Sequence, residues 1–247
     1  MLPELTYAEL LSRIDGDPAV VGLVLKGSHA HDGMATEYSD RDVYVVLGEG
    51  ADAALSGLHG HRSAELDVVV TTVDQFRQLD GHERYALSRA HVVVDRLDGQ
   101  ISEIVGAKGR RDRAEAIAAA AGWLDAYANS LYRSVKNARD GNRLAAHLDA
   151  ADSMGFLLEL LFALDRRPRP YNKYLQWELE RFPLPGWATS PLLDRIGLIV
   201  GTGDVDLQRS LFALVEDAAR EAGQGGTLDA WGEDLLLMRP EADLKAK

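Results

Sequence analysis

The sequence predicts an α+β fold, with a mixed β-sheet and flanking helices in the N-terminal half and an all-helical bundle after it. Up to about residue 106, short apolar runs of strand length alternate with helical patterns and turn signals. After the basic segment 108–113, apolar residues recur only at the three- and four-residue steps of helices. We therefore expect domains at 1–110 and 111–240 and a disordered tail at 241–247.

The N-terminal half begins with a short amphipathic helix, expected at 4–16 and ended by the turn signal Asp15-Gly16-Asp17-Pro18. Thr72 and Asp74 are suitable N-caps for a later helix, and Ile101 could begin a further short strand. Apolar, β-branched runs predict the strands at 20–26, 42–47, 65–71 and 90–94. Small helices are expected at 51–58 and 72–79.

The C-terminal half shows long helical patterns separated by Gly, Asn and Pro. In the first, Leu124, Tyr127, Leu131 and Val135 recur at helical steps, and Asp140-Gly-Asn142 separates it from the next. The predicted helices cover 112–139, 143–165, 171–181, 190–199, 204–222 and 228–237.

One motif in the first half carries the chemistry. The predicted strand at 20–26 is followed by Gly27-Ser28, and the strand at 42–47 opens with Asp40 and Asp42. Carboxylates two residues apart on a strand share a face, where they repel each other unless a cation lies between them. Oxygen ligands suit Mg²⁺, and a Gly-Ser turn offers N–H groups to phosphates. The motif predicts a nucleoside triphosphate site.

This pattern resembles the signature of the DNA polymerase β-type nucleotidyltransferase superfamily. That signature joins a strand, Gly-Ser, a spacer, Asp-x-Asp in front of a hydrophobic strand, and a third carboxylate on a later strand. Here the third carboxylate is expected to be Asp67, with Glu65 as the alternative on the same strand.

A mixed sheet followed by helices further resembles the aminoglycoside and lincosamide adenylyltransferases. The resemblance implies transfer of a nucleoside monophosphate, in the first instance AMP from ATP, to a hydroxyl with release of pyrophosphate. Asp40, Asp42 and Asp67 would bind two Mg²⁺ ions, and Gly27 and Ser28 would hold the terminal phosphates. The helical domain would supply the other wall of the cleft.

Two residues of the helical half are further candidates. Lys173 ends the basic segment 166–173 and is expected in the first turn of a helix, where it could bind phosphate. A solvated basic loop is the alternative. Glu159 lies within an apolar run, so it needs either a cleft or a partner. The kanamycin-type relatives imply a general base from this domain, which would be Glu159 or Asp152, with Asp67 as the alternative base.

Several other residues near these motifs are expected to have lesser roles. Lys26 and Arg41 flank the motif but are expected to alternate away from its face. His29 and His31 lack a third nearby ligand, so a zinc site is disfavoured. Arg133 and Lys136 are further possible phosphate contacts.

Composition limits the partners. Lys plus Arg number 27 against 39 Asp plus Glu, giving a net charge of −12, which argues against a nucleic-acid acceptor and favours a small, possibly cationic molecule. There is no cysteine, and neither a membrane span nor a signal peptide is expected, which predicts a cytoplasmic protein. A protein adenylyltransferase and a silent nucleotide-binding regulator remain alternatives. The kanamycin-type resemblance also allows a homodimer.

Overall fold

The computed structural model describes residues 5–50 and 54–241 and confirms the α+β class. The chain divides into two compact units, Met1–Arg110 and Arg111–Lys247. The first unit contains a five-stranded mixed sheet, and the second is helical. The predicted tail at 241–247 lies outside the described residues except for Glu241, as do residues 51–53 of a predicted helix. Within the described part of the chain, no helix is both long enough and apolar enough to span a bilayer.

The sheet of the first unit has the strand order β3-β4-β2-β1-β5. The strands are β1 (Val20–Lys26), β2 (Arg41–Leu47), β3 (His61–Arg62), β4 (Leu66–Thr72) and β5 (His91–Asp95). Strands β2 and β4 pair in parallel, whereas β1–β2, β1–β5 and β3–β4 are antiparallel. The β1–β2 and β2–β4 pairings therefore bring the C-terminal end of β1 next to the N-terminal ends of β2 and β4.

Helices cover both faces of this sheet. They are α1 (Tyr7–Gly16), α2 (Val73–Gln78), α3 (His82–Ser88) and α4 (Gln100–Lys108). Alternating residues of the strands face opposite ways. Leu23 and Val43 pack with α1, whereas Val24, Tyr44 and Val46 pack with α2, α3 and α4.

Three details of the first unit differ from the sequence-based expectation. Ile101 begins no strand but lies in α4, because Ile101, Ile104 and Val105 recur at helical spacing and are buried together. Helix α3 and the two-residue strand β3 were not anticipated, since neither is long enough to show a clear period. The helix expected at 51–58 is a 3₁₀ turn at Ala54–Leu58 in its described part.

The second unit is built around two long helices. Its helices are α5 (Arg113–Arg139), α6 (Arg143–Leu164), α7 (Leu175–Arg181), α8 (Thr189–Thr202), α9 (Val205–Glu221), α10 (Gly225–Asp229) and α11 (Leu235–Met238). Helices α5 and α6 pack along each other, and Tyr127, Leu161 and Phe212 are among the fully or almost fully buried core residues. The helix expected at 171–181 starts with a 3₁₀ turn at Asn172–Tyr174 and continues as α7.

Candidate functional site

Four charged residues lie opposite one another across the sheet of the first unit. Lys26 of β1 pairs with Asp42 of β2, Asp42 pairs with Asp67 of β4, and Asp67 pairs with Arg62 of β3. Residues directly opposite each other on neighbouring strands share a face. Together they form what we call the charged row, with a cation at each end and two carboxylates in the middle.

The turn after β1 lies directly against the charged row. Gly27 opens a 3₁₀ turn at Gly27–Ala30 and has φ +69°, a conformation that favours glycine. A Cβ atom at this position would collide with the carboxylate of Asp42. Glycine at this position therefore avoids backbone strain and lets the carboxylate of Asp42 stay where it is; any other residue would force that carboxylate to move. Ser28, the next residue of the turn, is buried.

The two histidines of this segment are engaged in hydrogen bonds. The buried His31 lies with Nδ1 2.7 Å from the carbonyl oxygen of Gly27 and with Nε2 3.1 Å from the hydroxyl of Tyr85. The Nε2 of His29 is 3.1 Å from the carbonyl oxygen of Ser39. These contacts fix the turn and the loop that follows it, which gives both residues a structural role.

Asp42 lies in an environment that disfavours its charge. Burial is the main cause that raises the pKa of the Asp42 carboxyl, and the nearby carboxylates of Asp40, Asp67 and Glu83 add to it. The positive charge of Lys26 lowers the same pKa. Asp40 directly precedes β2 and is close enough for its charge to raise the pKa of Asp42. An additional cation at this point would therefore be bound favourably.

The structure corrects the expected orientation of Lys26. The pairing with Asp42 puts Lys26 on the face of the charged row rather than away from it. Its side chain is only 14% exposed, and its Nζ lies 2.8 Å from a carboxylate oxygen of Glu83. The hydroxyl of Tyr44 donates to the same oxygen at 2.9 Å. Lys26 is thus a fixed cation beside Asp42.

Arg41 does lie on the opposite face, as expected. Its guanidinium is stacked 5.1 Å from the ring centre of Tyr7, and Glu65 lies at 4.0 Å. Glu65 precedes β4 and accepts a hydrogen bond from the backbone N–H of Tyr7 at 3.0 Å. Of the two carboxylates considered for the third acidic position, Asp67 is therefore the one in the charged row.

Asp67 has a partner that sequence reasoning missed. Its Oδ2 atom lies 3.1 Å from the Nε of Arg62. Arg62 gave no signal in the sequence because it belongs to a strand of only two residues. Glu83, the partner of Lys26, lies in the equally unanticipated α3. The Asp-x-Asp pattern specifies neither residue, since it assigns no cation next to the third carboxylate and no partner for Lys26.

In the second unit, Glu159 has a partner. Its Oε1 lies 3.4 Å from the Nη1 of Arg169, and its side chain is about one quarter exposed at 28%. Arg169 also donates to the side chain of Asn172 at 2.8 Å. Asp152 lies on the same helix and is exposed. The expectation that Glu159 needs a partner or a cleft is consistent with this ion pair, and its catalytic role stays a prediction.

The remaining cationic candidates of the second unit are also engaged in contacts. Lys173 is exposed in the 3₁₀ turn, with Nζ 5.4 Å from the ring centre of Tyr174. Arg133 donates to the buried Asp149 at 2.5 Å. The Nζ of Lys136 lies 4.9 Å from the centre of the Tyr132 ring. All of these contacts are made within the second unit.

A ready-made metal site is absent from residues 5–50 and 54–241, where no three His, Asp or Glu side chains form a group that could hold an ion alone. Asp42 and Asp67 nevertheless fit Mg²⁺, which is commonly held by one or two carboxylates together with substrate phosphates and water. Comparison with protein-family models and with curated proteins finds no match to this chain.

Proposed function

We propose that this chain is a Mg²⁺-dependent nucleotidyltransferase that transfers a nucleoside monophosphate to a hydroxyl of a small molecule. One observation carries the proposal. The Gly27 turn is pressed against Asp42, which stands in register with Asp67. A phosphate-binding turn next to paired carboxylates is the arrangement that a metal-bound triphosphate requires.

The donor set supports Mg²⁺ rather than a transition metal. Asp42 and Asp67 offer only oxygen atoms, and the neighbouring His31 is occupied by Gly27 and Tyr85. Burial raises the pKa of the Asp42 carboxyl, and the carboxylates of Asp40, Asp67 and Glu83 add to this, so a cation bound at Asp42 would stabilise its charged form. Bound at this site, Mg²⁺ would neutralise charge that develops on the attacking and leaving oxygens.

The residues of the chain have distinct tasks in this proposal. Asp42 and Asp67, assisted by Asp40, hold the cation, and Gly27 and Ser28 hold the terminal phosphates. Lys26 stays beside Asp42 and limits the repulsion among the carboxylates. Pyrophosphate is the leaving group, and ATP is the nucleotide that the resemblance favours.

The acceptor is proposed to be a small, cationic molecule with a free hydroxyl. The net charge of −12 favours a cation over a nucleic acid. Asp67, Glu159 and Asp152 are the candidate general bases, and Lys173 is a candidate phosphate contact. A homodimer is compatible with these assignments.

Pyrophosphate release tests the proposal directly. The assay uses each NTP with Mg²⁺ against a panel of aminoglycosides, lincosamides and cell extract. We expect release with one NTP and a small-molecule acceptor, and its loss when Mg²⁺ is chelated. Labelling of a protein in the extract would favour protein adenylylation instead. Binding of Mg²⁺-ATP without any release would indicate a silent regulator, and the absence of both would refute the proposal.

The general base can be identified with matched amide variants. If Glu159 is the base, Glu159→Gln should lower kcat by about 10²- to 10⁴-fold without changing the affinity for Mg²⁺-ATP. Asp152→Asn on the same helix tests the alternative base, and a loss of kcat in that variant but not in Glu159→Gln would assign the role to Asp152. If kcat of Glu159→Gln equals that of the wild type, the role of base passes to Asp152 or Asp67.

A further inference from the structure

The two cations of the charged row are held very differently. Lys26 is 14% exposed and is fixed by Glu83. Arg62 is 80% exposed, and its ion pair with Asp67 has a separation of 3.1 Å. Arg62 also belongs to a two-residue strand at the edge of the sheet. Lys26 is thus held in place beside Asp42, whereas Arg62 is easily displaced from Asp67.

The position of Arg62 conflicts with a divalent ion on Asp67. The guanidinium lies at the Oδ2 atom of a carboxylate whose side chain is only 20% exposed. A metal ion that coordinates this carboxylate would repel the guanidinium, and both would compete for the same oxygen lone pairs. An exposed ion pair contributes little free energy, so its loss costs little.

We propose that Arg62 is a placeholder cation that neutralises Asp67 until a divalent ion replaces it. The inference rests on the proposed function, because it concerns the same carboxylate. In the free protein, Arg62 supplies the positive charge at Asp67, as Lys26 does at Asp42. Binding of the metal ion releases the guanidinium into solvent. Arg62 therefore competes with the metal ion and sets the metal concentration at which the site fills.

Affinity for Mn²⁺ measures this competition without any turnover. Binding is followed by electron paramagnetic resonance for the wild type and for Arg62→Gln. A non-hydrolysable ATP analogue is present at a fixed concentration, because the two carboxylates are proposed to hold the ion together with phosphates. Removing the competing ion pair should tighten Mn²⁺ binding about two- to fivefold. Arg77→Gln is the matched control, because Arg77 forms an exposed ion pair with Asp74 at 3.2 Å in the same unit. It should leave Mn²⁺ binding unchanged.

The guanidinium itself can be followed by NMR. The Nε–H signal of Arg62 in the wild type is assigned by its loss in Arg62→Gln and is then observed during titration with Mg²⁺. We expect the signal to shift and its exchange with water to accelerate as the ion pair opens. A purely long-range effect of the Arg62 charge on metal affinity would leave the water exchange of this group unchanged.

The outcomes separate this inference from the proposed function. Tighter Mn²⁺ binding by Arg62→Gln together with a released Nε–H signal supports the placeholder. Equal Mn²⁺ affinity of the two proteins, or an Nε–H signal that Mg²⁺ does not change, overturns the placeholder alone. If neither protein binds Mn²⁺ with or without ATP, the proposed function fails and the placeholder fails with it.

Discussion

Buried charge is handled in opposite ways by the two units. In the sheet unit, Asp42 is surrounded by other carboxylates, and its pKa is raised, first by burial and then by these neighbours. In the helical unit, the buried Glu216 accepts hydrogen bonds from Arg220 at 3.0 Å and from Arg239 at 2.9 and 2.6 Å. The hydrogen bond from Arg239 is the largest of the causes that lower the pKa of Glu216.

The contrast supports the metal-binding role proposed for Asp42 and a structural role for Glu216. A carboxylate that is paired on both oxygens stabilises the fold, whereas one that is crowded by like charges costs stability and persists where a ligand needs it. The same chemical change, a carboxylate replaced by its amide, should therefore have opposite effects on stability in the two units.

The largest expected effect is on turnover. Asp42→Asn should lower kcat by about 10³-fold or more, because it removes a charged metal ligand from the charged row. The same variant should raise the stability at neutral pH by about 1 kcal/mol, because the buried charge is gone. Pyrophosphate release and urea unfolding measure the two quantities. Asp74→Asn, at an exposed ion pair, is the control.

The stability gained by Asp42→Asn should depend on pH in a definite direction. The raised pKa means that protonated Asp42 favours the folded state, and this contribution is lost as the pH rises through the folded pKa. The stability advantage of Asp42→Asn should therefore be full at neutral pH and vanish below the ordinary Asp pKa of about 3.9. An advantage that grows towards acid pH would contradict the assignment.

The next largest effect is expected on stability and ATP binding when Gly27 of the turn after β1 is replaced. Gly27→Ala should destabilise the protein by about 2–3 kcal/mol and abolish ATP binding, because it adds a collision with Asp42 to an unfavourable φ. Gly33→Ala is a matched control, since Gly33 has φ +78° and open space around its Cβ position. It should lose only about 1 kcal/mol and keep ATP binding. Equal losses in both variants would mean that the contact with Asp42 is unimportant.

In the helical unit, Glu216→Gln should destabilise the protein by about 2–3 kcal/mol, since it removes the buried charged acceptor that Arg239 and Arg220 share. With a lowered folded pKa, the contribution of Glu216 is present above the ordinary Glu pKa of about 4.3 and is lost as the pH falls through the folded value. Urea unfolding at pH 7 and at acid pH measures it. Asp229→Asn, at the exposed partner of Arg220, should change stability by less than about 0.5 kcal/mol.

The smallest expected effect is on stability and concerns a buried hydroxyl of the helical unit. The hydroxyl of Tyr127 is fully buried without a hydrogen-bond partner among the described residues, and burial raises its pKa. Tyr127→Phe should therefore stabilise the protein by about 1 kcal/mol. Tyr132→Phe is the opposite case, because its hydroxyl donates to Asp234 at 3.0 Å, and it should be neutral or slightly destabilising. Thermal unfolding of both variants decides between these outcomes.

Local patterns predicted much of the fold. Strand β1 was expected at 20–26 and is found at Val20–Lys26, because a β-branched apolar run is bounded by Pro18 and Gly27. The closeness of Gly27 and Asp42 was likewise predicted from a strand, a turn and a second strand that lie close together in the sequence, and Asp67 was added by the resemblance to the nucleotidyltransferase signature. In the structure, β2 and β4 pair with the two aspartates in direct register.

The predictions that failed depend on how the strands and helices pair with one another. The orientation of Lys26 was counted by alternation from the motif, but the face of β1 is decided by its register against β2 across the excursion at 27–40. Arg62 and Glu83 could not be assigned to the site, because elements as short as β3 and α3 gain their order from the sheet that they pack on. The partners of the carboxylates therefore emerged only from the structure.

Anomalous diffraction from crystals soaked with Mn²⁺ and a non-hydrolysable ATP analogue tests the central claim most directly. The account predicts an anomalous peak at about 2.2 Å from a carboxylate oxygen of both Asp42 and Asp67, with the terminal phosphates at the Gly27 turn. A bound nucleotide whose metal ion contacts neither aspartate, or a peak elsewhere in the protein with the charged row intact, would contradict it.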